Sequence, residues 1–285
     1  MEPAVAAWQT LWASWAWEPS ILGGVAGLAA AYAYSTRAYW RRPLSRATAL
    51  RGLAFLAGLL TLIAALVSPL DVLADRYLFS AHMAQHLLLL LVAPPLLLLG
   101  LPPPLARALI RPPLLAAIER RLGQPAVALV LFTGAMLVWH VPRFYEAALA
   151  NERLHAAEHL TLLGTAVLFW WPVVQPGAAS AALGHVGAIL YLFVASAPGT
   201  LLGAVLTFAS TPLYPTYTAA DDPLGLHPLT RGAWGLLPGV DQQLGGLLMW
   251  VPGGLVYLLG IGVVFLRLFA DAAAGEPLPA SERSP

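Results

Sequence analysis

Seven stretches of this chain are apolar for long enough to cross a bilayer, at about 20–36, 50–69, 78–101, 124–142, 155–174, 183–208 and 243–268. A hydrocarbon core about 30 Å thick takes about 20 helical residues, and an isolated backbone in lipid must satisfy its own hydrogen bonds. Such stretches are therefore expected to be helices. The expected fold is an all-α integral membrane bundle of seven transmembrane helices over residues 19–270. Composition points the same way: 59% of residues are hydrophobic and 10% charged, where soluble domains carry about 25% charge. A net charge of +1 gives no basis for nucleic-acid binding. The chain has no cysteine, which removes disulfides, thiolate nucleophiles and thiolate metal sites. No basic segment precedes an apolar run at the N-terminus, so no cleaved signal peptide is expected.

Arginine sets the expected orientation. The loop at 37–49 holds Arg37, Arg41, Arg42 and Arg46, and the loop at 102–123 holds Arg107, Arg111, Arg120 and Arg121. These segments share a side with a short turn near 175–182 and the C-terminus. Arg76, Arg143, Arg153 and Arg231 lie on the other side, diluted by Asp71, Asp75, Glu146, Glu152, Asp221 and Asp222. The positive-inside rule then places the N-terminus outside and the C-terminus inside a multi-pass cell-membrane protein. Residues 1–18 carry Trp8, Trp12 and Trp15 at helical spacing, followed by Trp17. They read as a short helix lying in the outer interface, where indoles prefer to sit. The connection at 209–242 is the longest and carries five prolines; it is expected to cover the outer face like a lid. Residues 271–285 read as a disordered cytoplasmic tail.

Alternating helix direction puts six of the seven histidines on the outer side. His82 and His86 begin the third span, His140 ends the fourth, His155 and His159 begin the fifth, and His227 lies in the outer loop. His185 alone falls inside. Each four-residue spacing stacks two imidazoles on one helix face. Without their first turns, the third and fifth spans are too short to cross, so both pairs lie at or just below the outer boundary. Polar groups at that depth face the bundle interior or a wet cavity, and a shared metal ion would satisfy them. His82, His86, His140, His155 and His159 are the candidate ligands. Glu158, Asp241 and Asp71 are placed to orient the imidazoles. Met83 and Met249 are possible additional ligands, and Met136 lies one turn below His140. Thioether and imidazole together suit Cu(I), so copper is the expected metal. For any single methionine, plain core packing is the commoner role.

Four stretches also resemble the CtaG-type cytochrome c oxidase assembly proteins. They are His82-Met83-Ala84-Gln85-His86 with Pro94-Pro95, Trp139-His140-Val141-Pro142 with Tyr145, His155-Ala156-Ala157-Glu158-His159 with Trp170-Trp171-Pro172, and Asp241-Gln242-Gln243-Leu244-Gly245-Gly246 with Met249-Trp250. The resemblance implies a non-enzymatic factor that binds, and delivers, copper to the oxidase on the extracytoplasmic side. Its implied partners are oxidase subunits and a soluble copper donor. Three alternatives stay open. His155-x-x-Glu158-His159 matches the H-x-x-E-H signature of a zinc metalloprotease. His86 and His159 on facing helices could hold haem for electron transfer. Pro252-Gly253-Gly254 could break the last span, as in a copper permease.

Overall fold

The structure, a computed structural model, describes residues 2–40, 45–174 and 183–275. All regular elements among them are helical. In chain order they are α1 (Glu2–Ala13), α2 (Pro19–Trp40), α3 (Arg46–Leu66), α4 (Pro69–Arg76), α5 (Phe79–Leu87), a π-helical segment (Leu88–Val92), α6 (Ala93–Gly100), α7 (Pro103–Leu109), α8 (Pro113–Leu122), α9 (Pro125–Trp139), α10 (Pro142–Leu149), α11 (Glu152–Val174), α12 (His185–Phe208) and α13 (Pro238–Gly275). Two short turns punctuate the segment before α13, a 3-10 turn (Pro215–Thr218) and a π turn (Pro228–Ala233).

Five helical stretches among the described residues are long and apolar enough to cross a membrane: Arg46–Leu66, Phe79–Gly100, Glu152–Val174, His185–Phe208 and Pro238–Ala273. A sixth arises if α8 and α9, bent by 81°, count as one broken span. By length and composition alone, five or six of the expected seven spans are recovered. The first stretch does form a 22-residue helix, α2, but its Tyr32, Tyr34, Ser35, Thr36 and Arg37 lower its hydropathy. The fourth ends early: α9 has only 15 residues, because Pro142 opens a separate helix.

Other boundaries shift for local reasons. α1 ends at Ala13, so Trp15 leaves the helix and stacks on Trp17 with ring centroids 5.8 Å apart. Ala7 and Leu11 of α1 bury against Leu73, Ala74, Tyr77, Leu226 and Leu229. The lid is shorter than 209–242, since α13 begins at Pro238. Proline fits the first helical turn, where its missing N–H has no intrahelical acceptor to serve. Pro252 lies inside a continuous α13, so Pro252-Gly253-Gly254, which could have broken the last span, does not. Most of the tail, from residue 276, lies outside the described residues, as do Arg41, Arg42 and the turn at 175–182.

Two devices fix the interior. Pro94 has no N–H to give Leu90, four residues back, and the freed carbonyl accepts from Trp170 Nε1 at 3.0 Å. The backbone widens into the π segment just before this point, with Ala93 N–H reaching Leu88 O. The Pro94-Pro95 and Trp170-Trp171 stretches are therefore two halves of one contact, and it ties α11 to the α5–α6 rod. The second device is close approach of α12 and α13. A Cβ at Gly203 would fall 2.7 Å from Gly246 O, and one at Gly246 would fall 2.6 Å from Gly203 O. Only glycine permits that spacing, which is how small residues pack membrane helices. Gly245 likewise lets Phe79 and Met83 of α5 lie on α13. Phe132, Phe169 and Tyr191 stack in sequence, with centroids 4.4 and 4.8 Å apart, to fill the centre.

Candidate metal centre

The start of α5 is held by an acid on a distant helix. Asp241 accepts from Phe79 N at 2.6 Å, from Ser80 N at 3.1 Å and from Ser80 Oγ at 2.5 Å. Leu78, at the N-cap position, offers no side-chain acceptor, so Asp241 takes the orphan donors of the first turn. Its contacts run to that backbone. It positions the helix that bears His82 and His86, instead of orienting an imidazole itself. Asp71 similarly receives Gln85 Nε2 at 2.8 Å. Burial, and next the charge of Glu18, push the Asp71 carboxyl up to about 6 against the Gln85 hydrogen bond.

α5 and α11 bring four imidazoles and one carboxylate together. His82 Nε2 lies 2.9 Å from His86 Nε2. Glu158 Oε1 lies 3.4 Å from His86 Nε2 and 3.9 Å from His82 Nε2. One ligand atom each from His82, His86 and Glu158 falls within a mutual 4.8 Å, and so does one each from His82, His155 and His159. His82 belongs to both groups. His82, His86 and Glu158 are essentially sealed from solvent, at 0%, 2% and 0% exposure. Glu158, expected to orient histidines, points its own oxygen at two of them.

Several of these buried atoms have no hydrogen-bond partner: His86 Nδ1, His155 Nε2, His159 Nε2 and both oxygens of Glu158. Native interiors leave few such groups, and each costs about 1–3 kcal/mol. His155 Nε2, His159 Nε2 and the two Glu158 oxygens belong to the two overlapping groups, together a cage, that could hold a metal ion, and a cation would satisfy them. The residues fit a metal ion on their own chemistry.

Surrounding groups fix which ring nitrogen is bare. Tyr217 Oη, from the lid, donates to Ala74 O at 2.6 Å and stands 2.8 Å from Tyr145 Oη. Burial raises the Tyr217 phenol pKa, so it keeps its proton. With that proton on Ala74 O, Tyr217 can only accept from His82 Nδ1, 3.3 Å away. His82 Nε2 is then the bare nitrogen facing the cage. Asp75 Oδ1 stands 3.7 Å from His155 Nδ1, beyond hydrogen-bond reach, and His155 Nε2 has no partner. Burial, and next the neighbouring Asp71, push Asp75 up to about 7. Sequence reasoning passed over Asp75 and Tyr217. The i, i+4 offset from Asp71 to Asp75 was a visible signal; Tyr217 lies in a proline-rich loop whose path no periodicity reveals.

His140 stands slightly apart. Its Nδ1 donates to Met136 O at 2.7 Å, and its Nε2 faces Met83 Sδ at 3.3 Å. Its ring centroid lies 5.6 Å from that of His86, and Tyr214 Oη caps its carbonyl at 2.9 Å. Below lies a cavity of about 30 Å³ walled by Met83, His86, Met136, His140 and Met249 among others. The two remaining histidines are elsewhere: His185 faces Asp271 at 3.3 Å, and His227 faces Asp222 at 3.8 Å.

The family model for the cytochrome c oxidase caa3 assembly factor, Caa3_CtaG, matches residues 30–271. The chain belongs to the Caa3_CtaG family. That match runs from the second half of α2 to most of α13 and takes in the whole histidine cage. No curated protein and no solved structure matches the chain. Membership of Caa3_CtaG makes the chain one of a family of cytochrome c oxidase assembly factors.

Proposed function

We propose that this protein binds copper in the cage formed by His82, His86, His155, His159 and Glu158 and delivers it during oxidase assembly. The observation that carries this reading is the pair of overlapping groups of ligand atoms, each within a mutual 4.8 Å and several without a hydrogen-bond partner. Family membership supplies the assembly role. Imidazole and carboxylate alone would accept several divalent metals, and the Met83 thioether beside His140 tips the donor set toward Cu(I). Copper is the cargo, so no bond-making chemistry on a substrate is required of these residues.

The arginine asymmetry supports an N-out, C-in topology. α2 and the short α9 complete seven membrane crossings, and the cage opens toward the extracytoplasmic side under the lid at 209–237. Tyr214 and Tyr217 pin that lid to His140 O and Ala74 O. A docking oxidase subunit would release copper by drawing these tyrosines away, which frees His82 Nδ1 and loosens its ring. A soluble donor would load the site from the same side. The haem alternative loses ground on space. The His86 and His159 ring centroids are 5.9 Å apart and the adjoining cavity is about 30 Å³, whereas cofactor pockets run to several hundred Å³.

The test is oxidase copper in cells that lack this protein, with the gene restored as wild type or as His86→Ala. The proposal expects copper-poor oxidase in the deletion and in the variant, and normal copper on wild-type rescue. Oxidase with full copper in the deletion removes the assembly role.

A further inference from the structure

We propose that Met83 and His140 form a second, thioether-containing Cu(I) site, distinct from the histidine–glutamate cage and joined to it through His86. The inference rests on the copper reading of the cage and adds a second binding point below it.

The proton count at His140 makes the case. Met136 O can only accept, so the hydrogen bond at 2.7 Å places the His140 proton on Nδ1. Nε2 is then bare and faces Met83 Sδ at 3.3 Å. A thioether carries no proton either. Two lone-pair donors are thus held face to face, with no hydrogen between them, at residues only 4% and 0% exposed. Their mutual placement is built from far apart in the chain. Gly245 admits Met83 against α13, and Tyr214 fixes the carbonyl of His140.

The spacing suits a shared ion. With bond lengths of about 2.0 Å to nitrogen and 2.3 Å to sulfur, an ion bonded to both would subtend roughly 100°. That angle leaves positions for further donors. The cavity wall beside the pair carries Met249, Met136 and His86, and the buried His86 Nδ1 has no partner. His86 therefore serves both sites: Nε2 meets His82 and Glu158, while its ring stands 5.6 Å from His140. Sulfur with imidazole prefers Cu(I) or Ag(I) to Zn²⁺, whereas the cage with its carboxylate does not discriminate so sharply. The lower site thus acts as the element that selects the monovalent ion, and an ion passes between the sites by exchange of one His86 bond at a time, with no change of oxidation state.

The experiment is copper K-edge absorption with metal counting on the purified full-length protein, loaded anaerobically with Cu(I). Wild type is expected to bind about two copper ions per chain and to show sulfur backscattering. Met83→Leu, close in volume, should lose the sulfur signal and one copper while keeping the other. His140→Gln should do the same, and serves if Met83→Leu folds poorly. Ag(I) should compete for one wild-type copper and Zn²⁺ should not. One copper with nitrogen and oxygen neighbours only overturns the second site and leaves the cage standing. Two coppers retained in both variants, with unchanged scattering, also overturns it. No bound copper in wild type overturns the cage and the second site together.

Discussion

Replacing Glu158 by glutamine should stabilise the metal-free protein while destroying its response to copper. Both Glu158 oxygens are buried without a hydrogen-bond partner, on a residue 0% exposed. The nearest groups are imidazole nitrogens, His86 Nε2 at 3.4 Å and His82 Nε2 at 3.9 Å. A glutamine amide carries two N–H donors where the carboxylate has none. It can donate to a proton-free imidazole nitrogen of the cage, where the carboxylate can only accept. Relief of one or two unsatisfied buried acceptors is worth about 1–3 kcal/mol each, which moves a transition by a few °C in a chain of this size. Wild type, by contrast, should gain about 2.7 kcal/mol when copper is present at 100 times its dissociation constant. Glu158→Gln removes the only anionic donor of the cage and should lose most of that gain. Thermal unfolding in detergent, with a chelator and then with excess Cu(I), reads both numbers. A variant that melts lower than wild type without metal and still shifts fully with copper would refute the reasoning, because Glu158 would then be a structural acid.

Three further outcomes are expected. Trp170→Phe replaces the buried indole with a smaller ring and removes the Nε1–H that donates to Leu90 O, 3.0 Å away; stability should fall by at least about 1–3 kcal/mol with copper stoichiometry unchanged. Tyr217→Phe removes the acceptor at His82 Nδ1, and loss of such an outer partner weakens metal binding by about 10–100-fold, measurable by competition with a copper chelator. Asp71 has a folded pKa of about 6 against an ordinary 3.8, so its contribution is full below pH 4 and lost as pH rises through 6. Metal-free protein should lose up to about 3 kcal/mol across that window from this group, and Asp71→Asn should flatten that part of a stability–pH profile.

Periodicity made the helices legible, and the paired four-residue spacings led directly to His82, His86, His155 and His159. Local signals served less well where tertiary contacts decided. Asp241 looked like a partner for an imidazole because it sits at the right depth, yet it caps α5, and nothing in the sequence shows that Leu78 leaves that helix uncapped. Glu158 was read as orienting because it lies between two histidines; helix geometry instead turns it toward His82 and His86 across the α5–α11 interface. His140 fell into the same set as the others by depth, whereas the structure pairs it with Met83. Asp75 approaches His155, and Tyr217 sets the His82 tautomer, through contacts that span 80 and 135 residues, beyond the reach of spacing. The spans were least legible where composition was mixed, at α2, and where Pro142 cut a helix short.

Copper content of the purified full-length protein, beside that of His159→Ala, bears on all of this at once. A buried cage of bare imidazoles and a carboxylate predicts at least one tightly held copper per chain in wild type and a sharp drop in the variant. Equal copper in both, or none in either under reducing conditions with excess Cu(I), would contradict it.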